Sequence, residues 1–189
     1  DITLRIGMPQ LEQGAFATSV IPTFGTAAVT RSADVSSSIT GTAFSSWYRQ
    51  DEGTVFADGT VSQGLSSFPW LYNVTDGTTN NSIGVYEYTN GIYGSIVTSG
   101  VPASPDAALV FSPSSGALLK HALAIKNSDT RAAVNGSLSP AQLNTLMPSV
   151  NQMAIGQRVT GNRRTGTIRR LTYFPQRLSN TVLQSITQP

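Results

Sequence analysis

The chain has 189 residues, of which 39% are hydrophobic and 12% charged, with no cysteine and a formal net charge of +2. Its length suits one well-filled core plus a short extra segment; the missing cysteines exclude disulfides and thiolate metal sites, and no apolar run is long enough for a membrane-spanning helix, so membrane insertion is not expected. Abundant Gly, Ser and Thr among many short strand-like runs point to an all-β sandwich and away from a helical protein.

Taken in order, Ile2, Leu4 and Ile6 alternate with Thr3 and Arg5, which predicts a half-buried strand ended by Met8, Pro9 and Gly14. The following small and apolar residues have no stable period and read as a connector. Ile39 to Trp47 opens the main domain, with Phe44 and Trp47 as candidate core residues, and Gly53 to Ala57 follows the acidic pair Asp51 and Glu52 at a turn. Asp58-Gly59 carries a hairpin-turn signal. Phe68, Trp70, Tyr72 and Val74 share one face of a strand by period two, and Asp76-Gly77 with Asn80-Asn81 makes the next loop. Ile83 to Thr89 and Ile92 to Thr98 flank Asn90-Gly91, the strongest short hairpin signal in the chain. Asp106 to Phe111 and Leu118 to Lys126 continue the meander, Asn135-Gly136 marks a turn, and Ser139-Pro140 begins a brief helical turn through Leu146.

Gln152 to Gly156 then leads to an arginine loop. Thr160-Gly161-Asn162 and Thr165-Gly166 place Arg163 and Arg164 on a turn, exposed at one rim. Gly166 to Phe174 is a closing strand stopped by Pro175. Ser179-Asn180 stand at a helix N-cap, and Leu178, Val182, Leu183 and Ile186 form one apolar face of a short C-terminal helix. The small net charge conceals an asymmetry: ten acids and five basic residues precede Thr130, whereas the rest of the chain has seven arginines and no acid. Either distant strands interleave and neutralise each other, or Arg158, Arg163, Arg164, Arg169 and Arg170 build an anion-binding edge. Nucleic acid is not an expected partner, because these arginines lack interleaved aromatic platforms.

Three blocks carry a resemblance. Gly166, Ile168, Leu171, Tyr173, Arg177, Leu178 and Ser179 resemble the terminal strand and helix of concanavalin A-like domains of the laminin G-like type, and His121 to Ser139, with its Val-Asn-Gly, resembles that family's paired strands. Gln10, Leu11, Glu12, Gly14, Phe16, Thr18, Ser19, Ile21, Pro22, Thr23, Thr30, Arg31, Ala33 and Asp34 resemble a junction of bacteriophage and prophage virion proteins that closes an upstream β-sandwich and hands over to such a domain. The resemblance implies an antiparallel jelly-roll β-sandwich, concanavalin A-like, over residues 35–189, with one short C-terminal helix. Residues 1–34 would be the closing strand of an upstream β module plus a linker. It further implies a place on the exterior of a phage particle, in a tail fibre, spike or head fibre, and a homo-oligomer, as a trimer in related proteins, in contact with other virion subunits.

Chemistry is sparse. His121, the single histidine, begins an alternation with Leu123 and Ile125, which favours a buried or edge position over catalysis. Retaining glycosidases need two carboxylates about 5 to 5.5 Å apart, and relatives that cleave sugars carry a Glu-x-Asp-x-x-Glu strand. Here Glu12, Glu52 and Glu87 are scattered and Asp51-Glu52 point to opposite faces, so no enzyme is expected. Calcium is common in the resembled family, but Arg169-Arg170 occupy a pair that is often acidic there; Asp58, Asp76 and Asp106 remain as loop oxygens, and the expectation is no metal or other cofactor. For a bacterial surface glycan, flat aromatics and arginines are the useful types: Trp70, Tyr72, Tyr86, Tyr88 and Tyr93, with Arg163 and Arg164. The same aromatics at period two also suit a β core, and the pattern does not say which face of Tyr86 and Tyr88 meets solvent. The expected function is non-catalytic carbohydrate binding and host attachment. The alternative is structural decoration or assembly of a virion without a glycan ligand.

Overall fold

The computed structural model describes residues 38–103, 107–109, 114–143, 145–159 and 161–189. The expected first strand, the connector after it and Asp106 lie outside the described residues. Contacts divide the chain after Val35, and the described elements belong to the unit Ser36–Pro189.

Two antiparallel sheets form a sandwich. One has the order β1 (Ile39–Thr40), β11 (Gln152–Ile155), β3 (Trp70–Thr75), β4 (Ser82–Tyr88), β5 (Gly91–Thr98) and β6 (Val101–Pro102), with β7 (Ala107–Leu109) also paired to β5. The other runs β10 (Ser137–Leu138), β9 (Arg131–Val134), β8 (Leu118–Lys126), β2 (Glu52–Thr60) and β12 (Ile168–Phe174). Period-two alternation assigns the faces. On β2, Val55 and Ala57 point between the sheets and Phe56 points away; on β8, Leu119, Leu123 and Ile125 point in and Ala122 and Ala124 away. Leu71, Tyr72, Val74, Ile83, Val85, Ile92 and Ile96 meet them from the seven-stranded sheet. Burying each such aliphatic side chain contributes about 1.5–3 kcal/mol.

A second apolar layer lies on the far side of the five-stranded sheet. The helix α2 (Asn180–Thr187) sets Leu183 against Phe56, Ala122, Ala124 and Ala133, alanines whose small size lets the helix approach. Ser179 is its N-cap, with Oγ accepting from the Val182 amide at 3.4 Å. Val182 does not join the apolar face as expected: it is exposed, because one turn of helix on a flat sheet turns Leu183 inward and its neighbour outward.

The hairpin at Asn135-Gly136 forms where its turn residues place it, whereas the β4–β5 turn falls one residue earlier than expected, on Thr89-Asn90, with Gly91, the first residue of β5, paired to Tyr88. Both Asn135 and Gly136 have positive φ, 45° and 83°, as a two-residue hairpin demands. Three further expectations are corrected. Ile39 to Trp47 is not a single opening strand: after β1 the chain makes a helical turn, α1 (Thr42–Ser45), in addition to the expected C-terminal helix. Phe44 and Tyr48, four residues apart, stack at 4.6 Å; Phe44 is buried, while Trp47 is half-buried. Asp58-Gly59 is not a turn but lies inside β2, where the bare Gly59 lets the Thr167 carbonyl pass close by and Asp58 pairs with Arg169. Ser139 to Leu146 is not helical among its described residues; Thr130 and Gln142 exchange backbone hydrogen bonds at 3.1 and 3.0 Å, holding the segment extended.

Candidate functional site

The face of the seven-stranded sheet turned away from the core carries a bank of aromatic rings. On β4, Ile83 and Val85 enter the core, so Tyr86 and Tyr88 point outward. Tyr86 sits opposite Tyr93 on β5 and Trp70 on β3. The Tyr86 and Tyr93 rings stack at 5.1 Å and 9°, and the Trp70 ring lies 5.4 Å from Tyr86. Gly84 makes room for both the Tyr72 carbonyl of the neighbouring strand and the indole: a Cβ there would meet that carbonyl first and stand 2.8 Å from Trp70 Cζ3. Phe68 follows a 3-10 turn (Leu65–Ser67) in left-handed backbone, φ 52°, which lifts its ring off the strand to stack on Tyr88 at 4.4 Å and 3°.

Beside these rings is a groove of about 310 Å³, lined among others by Phe68, Trp70, Tyr86, Ser95, Arg158 and Asn162. Its rim is tied down. Asn162 accepts from the Trp70 amide through its carbonyl at 3.1 Å and donates its Nδ2 to Ser67 O at 2.7 Å, while Arg158 and Gly161 exchange backbone bonds at 2.8 and 3.0 Å. The Arg158 guanidinium carbon lies 5.0 Å from the Trp70 ring centroid, and its Nε is buried without a hydrogen-bond partner.

The structure thus gathers Trp70, Tyr86, Tyr88 and Tyr93 on one face. Tyr72 does not belong with them. The register runs from Trp70 opposite Tyr86 to Tyr72 opposite Val85, so β3 holds one extra residue and the period-two count fails there. Leu71 and Tyr72 both enter the core, and the Tyr72 hydroxyl is buried without a partner, pushed well above its ordinary pKa by desolvation. Phe68 and Asn162 were not singled out as site residues by pattern, since a left-handed backbone and a rim loop have no period; Arg158 was legible only as one of the charged run.

The exposed arginine turn is half corrected. Arg163 is exposed, but the Arg164 side chain is 1% exposed and binds the fully buried Glu87, with Nη2 at 2.7 Å and Nε at 3.1 Å from Oε1. Arg164 also donates to Thr60 O, and the Ser62 amide donates to Glu87 Oε2 at 2.6 Å. Burial pushes the Glu87 carboxyl above its ordinary value against the opposing pull of Arg164 and Ser62. Arg169 pairs with Asp58 at 2.6 Å, Arg177 with Asp129 at 2.9 Å, and Arg170 lies over Phe56. Of the two alternatives, the basic C-terminal part therefore interleaves with the acidic part, and the edge of five arginines is dispersed.

His121 is fully buried between the sheets with neither ring nitrogen partnered, and desolvation pushes its pKa down to about 3, which keeps it neutral. Glu52 accepts from the Arg177 amide at 3.1 Å, and Asp51 is held by Arg49. Of the aspartates considered for calcium, Asp58 lies in a strand and Asp76 is bonded within its own turn to Thr78 and Asn81. Among the described residues no three His, Asp or Glu side chains gather as a metal-ligand set.

No protein-family profile and no curated protein matches the sequence. Solved structures do match in shape. The CBM40 of Ruminococcus gnavus IT-sialidase bound to α2,3-sialyllactose superposes with a TM-score of 0.63 at 14% identity, over 80% of this chain and 92% of that one. Domain 4 of AbnA, a GH43 extracellular arabinanase from Geobacillus stearothermophilus in complex with arabinotriose, gives 0.60 at 16% identity, over 73% and 67%. Mouse laminin α1 domains LG4-5 give 0.54 at 10%, over 69% and 37%. At such identities the likeness establishes the fold alone: an antiparallel jelly-roll β-sandwich, concanavalin A-like, with a short C-terminal helix.

Proposed function

We propose that the domain binds carbohydrate without cleaving it, through the outer aromatic face of the seven-stranded sheet. The observation that carries this reading is the stacked bank of Phe68, Tyr86, Tyr88 and Tyr93 around the buried Trp70 beside an open groove, with the partly exposed rings available to sugar C–H faces and Asn162 and Arg158 at the rim. Neighbours of the same fold that hold sialyllactose and arabinotriose support it. The carboxylates support a non-catalytic role: Glu87 is neutralised inside the core, and Asp51, Glu52 and Asp58 are engaged by arginines or lysine. A glycan array probed with the native chain tests the reading. Binding is expected, weakened about tenfold by Tyr86→Ala with Tyr88→Ala. No bound sugar, or new reducing ends released from a bound polysaccharide, would refute it.

The finer reading is host attachment at the exterior of a bacteriophage particle, supported by the junction resemblance of Gln10 to Asp34. The isolated chain should then adhere to bacterial cells through a surface glycan and lose adhesion when that glycan is stripped. A second reading, virion decoration or assembly, draws on the exposed Val101, Leu143 and Leu146, apolar side chains that a neighbouring subunit would cover. Light scattering separates the two: assembly through these side chains predicts an oligomer that Leu143→Ser with Leu146→Ser dissociates.

A further inference from the structure

The aromatic groove contains a positive charge that nothing in the described chain balances. Arg49, Arg164, Arg169 and Arg177 each hold a carboxylate, Arg131 donates to Ser139 O, and Arg170 donates to Thr172 Oγ1. Arg158 and Arg163 alone have no acceptor among the described residues, and of these only Arg158 lines the groove. The described acids are committed elsewhere, Asp51, Glu52, Asp58, Glu87 and Asp129 to ion pairs and Asp76 to its own turn. Arg158 is also held in place: its guanidinium lies over Trp70 and its backbone is closed onto Gly161, so little rotamer freedom is left to lose on binding. Its Nε is a buried donor with no acceptor, a state that native proteins rarely leave uncompensated.

Resting on the carbohydrate-binding reading, we infer that this groove selects sugars bearing a carboxylate, with Arg158 as the anion contact and Phe68, Trp70 and Tyr86 as the apolar wall. The planar guanidinium fork matches a carboxylate bidentately, and charge-assisted bonds of this kind are stronger than neutral ones. Asn162, whose Nδ2 is committed to Ser67, keeps its Oδ1 to accept from a ring hydroxyl. Exposed Arg163 next to it adds field at the rim without a fixed geometry.

Titration of the native chain with a galacturonic acid trisaccharide and its methyl ester, together with an array of uronic-acid, nonulosonic-acid, sulfated and neutral glycans, tests this without relying on a variant. The acid form is expected to bind at least about tenfold tighter than the ester, or, if the array prefers another carboxylated sugar, that sugar tighter than its ester by the same factor. Added salt should weaken the preference. Arg158→Gln should abolish it with an unchanged melting curve, and Arg163→Ala should leave it within about twofold. Equal binding of acid and ester, tighter binding of sulfated glycans, or a preference that survives Arg158→Gln would overturn the inference and leave the carbohydrate reading standing. Binding to no glycan at all would remove both.

Discussion

Acid should destabilise this domain through His121. The imidazole is fully buried on the inner face of β8, between Leu119 and Leu123, with no partner for either nitrogen. Desolvation lowers its pKa from 6.5 to about 3. The unfolded chain therefore takes up a proton below pH 6.5 that the folded chain refuses. The stability this group contributes is complete above pH 6.5 and falls as pH drops toward 3, by about 1.4 kcal/mol per unit. Between pH 7 and 5 the loss is about 2 kcal/mol, a large share of the roughly 5–15 kcal/mol of a typical domain. Urea denaturation at pH 7, 6 and 5 and constant ionic strength measures it. Because the chain has one histidine, the difference in slope between the native chain and His121→Leu isolates this contribution. Glu87 has the opposite sign: its raised pKa means that its contribution is present at low pH and is lost as pH rises through the folded value, equally in both proteins. Asp51 and Asp76, held low by Arg49 and by Thr78, lose their contributions only as pH falls below the ordinary aspartate value, outside the window. A leucine variant whose stability changes between pH 7 and 5 just as the native chain's does would refute the reasoning.

Three further outcomes are expected. Arg164→Ala leaves the Glu87 carboxylate buried without its cation and should cost about 3–5 kcal/mol in chemical denaturation, most of it recovered when Glu87→Leu is added; a loss under about 1 kcal/mol would mean that water or rearrangement replaces the cation. Gly84→Val would drive its side chain into the Tyr72 carbonyl as well as the Trp70 ring, so it should lower the melting temperature and weaken glycan binding together, which parallel thermal scans and titration would show; an unchanged melting temperature would refute the close packing of β3 on β4. Ser179→Ala removes the N-cap of α2 and should cost about 0.5–2 kcal/mol, read from urea unfolding; no change would place the helix's stability wholly in the Leu183 contact.

The readable parts of the candidate site are those governed by local rules. Tyr86, Tyr88 and Tyr93 share a face because β4 and β5 are regular and joined by the two-residue turn Thr89-Asn90, and that geometry is written in consecutive residues. The errors have equally definite causes. Tyr72 was assigned to the face of Trp70 because period two was extended through a bulge that only cross-strand pairing creates. The turn signals Thr160-Gly161-Asn162 and Thr165-Gly166 put Arg164 in solvent, but its partner Glu87 comes from a distant strand that no local signal reveals. The Asp58-Gly59 signal was overruled by neighbours on both sides, β8 and β12, which extend β2 straight through it.

By itself the sequence determined the class of structure: short alternating strands, hairpin turns, a closing strand and a capped helix, since each depends on contacts within a few residues. Tertiary structure decided which of two alternating faces became core and which became the aromatic surface. An alternating strand is the same pattern viewed from either side until another sheet covers one of them. It likewise decided which arginines are neutralised and left Arg158 over Trp70 without a counter-charge among the described residues, because ion pairing follows distance in space, and the strands that bring Glu87, Asp58 and Asp129 to their arginines are far apart in the chain.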